Sequence, residues 1–178
     1  MLHSDRLEEI EGWRTKDKKL DLIFPWYTRP FLKKLIEWNT SNWKVFEYGA
    51  GDSTHWWRKN SKTVCGVDSS ETWAKNADVD FISDKNSYIQ HPTKLIIDDA
   101  KFDCIIIDGE PTEWRDACTE YALISIKNGG IIIVDNYEQA SVGLLNWPST
   151  NNLLKSYEKF VFSEPNHADW KTAYWVIT

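Results

Sequence analysis

The chain has 178 residues, 42% hydrophobic and 27% charged, a composition that describes one globular domain of ordinary size. No apolar run is long enough to span a membrane, and the N-terminus Met1-Leu2-His3-Ser4-Asp5-Arg6 carries no secretory apolar region, so a cytoplasmic protein with no membrane partner is expected. A formal net charge of −6 argues against a broad nucleic-acid footprint, and the three separated cysteines Cys65, Cys104 and Cys118 argue against a disulfide framework or a zinc site.

Residues 1–24 are rich in charge, with Lys16-Asp17-Lys18-Lys19 as a solvated run and a short helix expected over 5–11. Pro25 and Pro30 then bracket an extended aromatic segment containing Trp26 and Tyr27. Thr28 stands where it can cap a helix with Pro30 in its first turn. Phe31, Leu32, Leu35, Ile36 and Trp38 follow at helical spacing and give one apolar face. Asn39-Thr40-Ser41-Asn42 breaks that helix. The chain therefore divides into an N-terminal helical or lid segment, 1–43, and a core, 44–178.

The core opens on a strand beginning at Lys44, with the apolar run Val45-Phe46 inside it. It ends in the turn Glu47-Tyr48-Gly49-Ala50-Gly51-Asp52-Ser53-Thr54, which runs into a helix at His55-Trp56-Trp57-Arg58. Strand, glycine turn and helix in that order present backbone N–H groups to a nucleotide in parallel α/β sheets. Gly49 and Gly51 suit a tight turn and a close ligand, and Ser53 and Thr54 suit the helix cap. A second strand, Thr63-Val64-Cys65-Gly66-Val67, ends in Asp68, about 20 residues after the glycine turn, where such folds place a carboxylate for ribose hydroxyls. A helix starts at Ser69-Ser70-Glu71 and runs to about 77. Val79-Asp80-Phe81-Ile82 is a short third strand, followed by Ser83-Asp84 at its carboxyl end. Residues 87–101 carry no clear pattern, and Pro92 argues against a long helix there.

The apolar run Phe102-Asp103-Cys104-Ile105-Ile106-Ile107 reads as a strand buried on both faces and ends in Asp108. Residues 112–126 have helical period, stopped by Asn128-Gly129-Gly130, and Ile131-Ile132-Ile133-Val134 is a fifth strand ending in Asp135-Asn136. Residues 143–148 read as a loop or short helix, and 153–159 as a helix. Phe160-Val161-Phe162 and 172–177 are two last strands whose connection is too short for a parallel crossover, hence an antiparallel hairpin. The resulting fold class is α/β: a doubly wound, mostly parallel seven-stranded sheet with a C-terminal antiparallel hairpin, in three α-β-α layers. Glu47, Asp68, Asp108 and Asp135 all stand at the carboxyl ends of strands, the edge where open parallel sheets bind ligands, and should converge on one cleft.

The E-x-G-x-G run from Glu47 to Gly51, with Thr54 where a dinucleotide fingerprint has its third glycine, resembles motif I of the class I S-adenosylmethionine-dependent methyltransferases. The order of elements over 44–134 and the terminal hairpin resemble that family too. The resemblance implies S-adenosylmethionine as cofactor, held by Glu47, Gly49, Ala50, Gly51, Ser53 and Thr54, by Asp68 and Ser69 at the ribose, by Asp84 near adenine, and by Asp108. Trp26, Tyr27 and Thr28 resemble a segment that closes over the cofactor in some small members. It also implies methylation of a small-molecule or glycan hydroxyl.

Asp108 with Asp135 and Asn136 further resembles the Mg²⁺ triad of catechol-type and sugar O-methyltransferases, where hard oxygen ligands lower a hydroxyl's pKa. No lysine follows to take the proton, which leaves Asp108, Glu110, Asp135 or His167 as candidate bases. No lysine or arginine is evident in the local sequence to separate the two carboxylates, so either a cation or a retained proton is expected between them. Of the 11 tryptophans, Trp26, Trp56, Trp57, Trp114 and Trp147 fall on loops flanking the expected cleft. Two other readings share the fold: an NAD(P)-dependent oxidoreductase, and a non-catalytic nucleotide-binding domain.

Overall fold

The structure is a computed structural model that describes residues 10, 24–137, 147–165 and 167–178. Its elements in order are α1 (Arg29–Leu35), β1 (Lys44–Tyr48), α2 (Asp52–Asn60), β2 (Thr63–Asp68), α3 (Glu71–Ala77), β3 (Asp80–Phe81) and α4 (Lys85–Lys94). They continue with β4 (Phe102–Ile107), a 3₁₀ turn (Thr112–Trp114), α5 (Arg115–Ser125), β5 (Ile126–Val134), α6 (Pro148–Leu153), β6 (Glu158–Glu164) and β7 (His167–Val176).

The strands form one seven-stranded sheet in the order β3-β2-β1-β4-β5-β7-β6. All neighbours are parallel except β7, which runs antiparallel to both β5 and β6. Strand order reverses between β1 and β4, and the cleft edge lies there. The apolar runs alternate strictly between two cores. Phe46, Tyr48, Ile105, Ile107, Ile132 and Val134 face one side, under α4 and α5. Val45, Cys104, Ile106 and Ile133 face the other, under α1 and α2. That alternation is what period-2 side chains on a sheet covered on both faces must do.

Several boundaries differ from expectation for local reasons. Helix α2 starts at Asp52 with Gly51 in the N-cap position, so Ser53 and Thr54 lie inside its first turn. Thr28 precedes α1 as expected, but its hydroxyl makes no cap bond. Pro92 sits inside α4, which ends two residues later at Lys94; near a C-terminus the lost N–H costs one bond only. Helix α5 yields to β5 already at Ile126, and the strand runs through Asn128, Gly129 and Gly130 with an irregular register at Phe102. The helix expected over 153–159 lies earlier, at Pro148–Leu153, and Glu158 already belongs to β6. The loop read at 143–148 and the helix read at 5–11 fall mostly outside the described residues. Ile10 is described, and it is helical and fully buried.

Among the described residues no helix is long and apolar enough to cross a membrane.

Candidate functional site: a cofactor cleft

The turn after β1 is built by contact. Gly49 has φ +91, and a Cβ on it would lie 2.6 Å from the Cα of Gly109 in the turn after β4. Only glycine fits that approach. Gly49 N–H donates to the Val67 carbonyl at 2.8 Å, and Asp108 N–H donates to the Tyr48 carbonyl at 3.0 Å, so β2, β1 and β4 end in one ledge. Gly51 is different. Its backbone is extended (φ 176), and a Cβ there would meet nothing within 4 Å. The tight turn needs Gly49; the bare Cα of Gly51 faces open space.

Glu47 lies beneath this turn, fully buried. Its Oε2 accepts from the Thr54 hydroxyl at 2.5 Å, and Thr54 in turn accepts from the Gly51 N–H at 3.1 Å. The acid thus fixes the turn through the threonine that stands in place of a third glycine. Glu47 Oε1 has no hydrogen-bond partner. Burial pushes this carboxyl up to about 8, against the lowering effect of the Ser53 and Thr54 hydroxyls.

Asp68 ends β2 and is 6% exposed. Its Oδ2 accepts from Ala50 N–H at 2.8 Å and its Oδ1 from Ser70 N–H at 2.7 Å. It therefore ties the β1 turn to the β2 turn, and each oxygen retains a free lone pair. The Ser69 hydroxyl donates to the Glu110 carbonyl at 2.6 Å and brings the loop after β4 across toward β2.

These turns enclose a cleft of about 510 Å³ lined by Trp26, residues 49–53, Asp68, Ser70, Trp73, Asp108 and Glu110. Of the residues expected to hold a cofactor, Trp26, Gly49, Ala50, Gly51, Ser53, Asp68 and Asp108 line it. Glu47 and Thr54 support it from below. Tyr27 and Thr28 are fully buried behind it, with Trp57 Nε1 donating to the Tyr27 hydroxyl at 3.2 Å. Asp84 is not part of the lining. It caps α4, accepting from Ser87 N–H at 2.8 Å, and that bond lowers its pKa. The indoles also sort differently from expectation. Trp56, Trp57 and Trp147 are buried in the core, because they sit on inward faces. Trp114 packs edge-on against Tyr88. Trp73, which sequence reading passed over, joins Trp26 at the cleft, each 55% exposed. The signal for it was its place in the first turns after the Asp68 loop.

Beside the acids of β4 and β5 stands a residue that sequence reading also missed. Arg115, first in α5 and 5% exposed, has Nη1 at 3.2 Å from Asp108 Oδ1. The same nitrogen donates to Asn136 Oδ1 at 3.1 Å, and Nε donates to the Gly109 carbonyl at 2.6 Å. Asp135 is 3% exposed and accepts from the Thr172 hydroxyl at 2.6 Å. The expected triad of Asp108, Asp135 and Asn136 is thereby taken up: the guanidinium occupies the cation's role, and Thr172 covers one Asp135 oxygen. Among the described residues no cluster of three or more His, Cys, Asp or Glu is arranged to hold a metal. Two members of that triad, Asp108 and Asn136, are bonded to Arg115, and the expectation that no arginine intervenes is corrected by this residue, seven positions beyond Asp108.

Burial raises Asp108 to about 6, with Arg115 pulling the other way and Glu110 adding to the rise. Burial raises Asp135 well above the usual carboxylate range, and Asp108 beside it adds to the effect. Glu110 sits at the rim with its side chain 69% exposed. His167 opens β7 opposite Glu164, and its side chain lies outside the described residues.

No family model matches the sequence, and no curated protein matches it. Solved structures do match in shape. The O-methyltransferase TomG from Streptomyces achromogenes, solved with S-adenosylmethionine, is 14% identical with a TM-score of 0.64, over 100% of this chain and 91% of that one. An O-methyltransferase from Bacillus cereus, in complex with S-adenosylhomocysteine, is 18% identical with a TM-score of 0.58, over 97% and 90%. A putative rRNA methylase from Clostridium thermocellum is 15% identical with a TM-score of 0.61, over 87% and 98%. The chain has the class I S-adenosylmethionine-dependent methyltransferase fold, with the mixed sheet order and antiparallel β7 that define it. O-methyltransferases are among the structures it matches over its full length, and methylases of ribosomal RNA match over 80–90% of it.

Proposed function

We propose that this protein is an S-adenosylmethionine-dependent methyltransferase acting on a hydroxyl of a small molecule or a glycan. The observation that carries the reading is the cleft at the β2-β1-β4 edge, where Gly51 leaves open space between Asp68 and Asp108. The residues present fit the cofactor: residues 49–53 would take its amino-acid end and Asp68 its ribose hydroxyls. When bound there, S-adenosylmethionine supplies a methyl group already activated on sulfur.

The protein's remaining tasks are alignment, exclusion of water and handling of a proton. Asp108 faces the cleft and is ionised above about pH 6, so it is suited to accept the proton of a hydroxyl. Arg115 holds that carboxylate in place at 3.2 Å. Asp135 is too deeply buried to reach an acceptor. The described lining carries Asp52, Asp68, Asp108 and Glu110 and no Lys, Arg or His. A polyanion such as RNA would meet repulsion there, which favours a neutral or cationic small acceptor over the substrates of the rRNA methylases.

The test is calorimetry with S-adenosylhomocysteine and NAD⁺. Binding of the first at micromolar Kd and none of the second is the expected result. The reverse would make the site an oxidoreductase's.

A further inference from the structure

The segment before α1 crosses the carboxyl edge of the central strands and is fastened at both ends. At one end the Trp26 indole N–H donates to Asp52 Oδ2 at 3.2 Å, at the start of α2 and in the cleft lining. At the other, Thr28 N–H donates to Thr172 Oγ1 on β7 at 3.0 Å, and the Thr172 hydroxyl donates onward to Asp135 Oδ1 at 2.6 Å. All three residues of that relay are at most 3% exposed. Next to it, Arg29 donates from its backbone N–H and from Nε to the two oxygens of Glu164, at 2.7 and 2.5 Å.

We infer that Thr172 is a positioning residue: with Asp135 beneath it, its hydroxyl latches the strap at Thr28 and so sets Trp26 as a wall of the cleft. Thr172 can serve because a hydroxyl both accepts and donates. It takes one of the N–H groups that the start of α1 leaves without an intrahelical partner, the next, of Arg29, going to Glu164, and donates its own hydrogen bond to the acid. Asp135 then works as a hydrogen-bond acceptor for the Thr172 hydroxyl. Tyr27 is fixed at the same time by the Trp57 indole at 3.2 Å, so of residues 26–28 only Trp26 remains exposed to meet a ligand. The ligand part of this inference rests on the cofactor reading above; the latch itself does not.

The experiment has two arms. Amide exchange followed by NMR on the free protein reads Thr28 directly. In the wild type its N–H should be protected comparably to Leu32, whose N–H bonds to the Thr28 carbonyl at 2.9 Å inside α1. Thr172→Val should speed Thr28 exchange at least about tenfold, whereas Thr172→Ser and Asp135→Asn, which keep a hydroxyl and an acceptor oxygen, should not. Calorimetry with S-adenosylhomocysteine reads the wall. Thr172→Val and Trp26→Ala should each weaken binding about tenfold, and the double variant should be no weaker than Trp26→Ala alone. Additive losses overturn the positioning role, because Thr172 would then act on the ligand by another route. Asp135→Asn losing protection as Thr172→Val does overturns the part given to Asp135 as a simple acceptor. Should Thr172→Val not fold, an unprotected Thr28 amide in the wild type still overturns the latch. If the wild type binds no S-adenosylhomocysteine, the cofactor reading fails and the amide arm decides the latch alone.

Discussion

Arg115 and Asp108 form an ion pair across 3.2 Å at the place where two adjacent parallel strands deliver their acids. Carboxylates at equal offsets on neighbouring strands would repel without something between them. Here a guanidinium pairs with one of them, Asp108, and also donates to the carbonyl of Gly109 and to Asn136 Oδ1, so it knits the β4 and β5 loops together. The fork shape matters, because a lysine cannot serve three acceptors in a plane. Arg115→Met should destabilise the protein by about 3 kcal/mol in urea unfolding, and Arg115→Lys should recover less than half of that.

The same pair supplies a cation beside Asp108 without a metal. Mg²⁺ added to the free protein should produce no binding heat, and EDTA should leave S-adenosylhomocysteine affinity unchanged. Loss of affinity in EDTA, restored by Mg²⁺, would return Asp108, Asp135 and Asn136 to the role of ligands.

The two glycines of the turn should fail in opposite ways. Gly49→Ala places a side chain at φ +91 and 2.6 Å from backbone, so the fold should lose roughly 2–4 kcal/mol. Gly51→Val meets no protein atom, so stability should fall by only about 1 kcal/mol from the N-cap preference. Its isopropyl group fills the space beside residues 49–53, and cofactor binding should be abolished. Thermal melts and calorimetry on the two variants separate structure from ligand.

Glu47 makes the free protein's stability depend on pH with a definite sign. Its folded value, about 8, stands above the unfolded 4.5, so the native state holds the proton more tightly. Stability is therefore fully present below about pH 4.5 and falls as pH rises toward 8. Asp108, raised from 3.8 to about 6, adds a decline of the same sign at lower pH. Glu47→Gln should flatten the upper part of the curve, gaining on the order of 3 kcal/mol over the wild type at pH 8 relative to pH 4.5. Unfolding curves at pH 5, 6.5 and 8 measure this, and parallel curves for both proteins would show that Glu47 is not held neutral.

Asp68 joins the two turns as well as facing the cleft. Asp68→Ala strands the N–H groups of Ala50 and Ser70 and should weaken S-adenosylhomocysteine binding by about 1.5–3 kcal/mol. Unchanged affinity would take Asp68 out of the site.

The strands and the ledge were legible because they depend on local pattern. Continuous apolar runs can only be central strands, and Glu47, Gly49 and Asp68 mark strand ends by spacing alone. What stayed hidden depends on long-range contact. Arg115 looked like an ordinary helix-start residue, and nothing in its neighbours announces that it turns back onto Asp108. Thr172 lies in a strand whose local sequence shows only alternation, yet it meets Asp135 and Thr28. Asp84 fits the adenine position by order of elements, but its own helix claims its side chain. Pro92 argues against a long helix over 87–101, and the short helix α4 carries it two residues before its end at Lys94.

The strap also imposes an order on the protein's making. Thr28 bonds to a residue 144 positions further along the chain. When β1 through β5 have left the ribosome, Trp26 can already bond to Asp52, but Thr28 still has nothing to fasten to. The cleft wall can close only after β7 has emerged and inserted beside β5. A nascent chain is thus a nucleotide-type sheet with an open mouth until β7 completes a site whose wall was synthesised before the sheet.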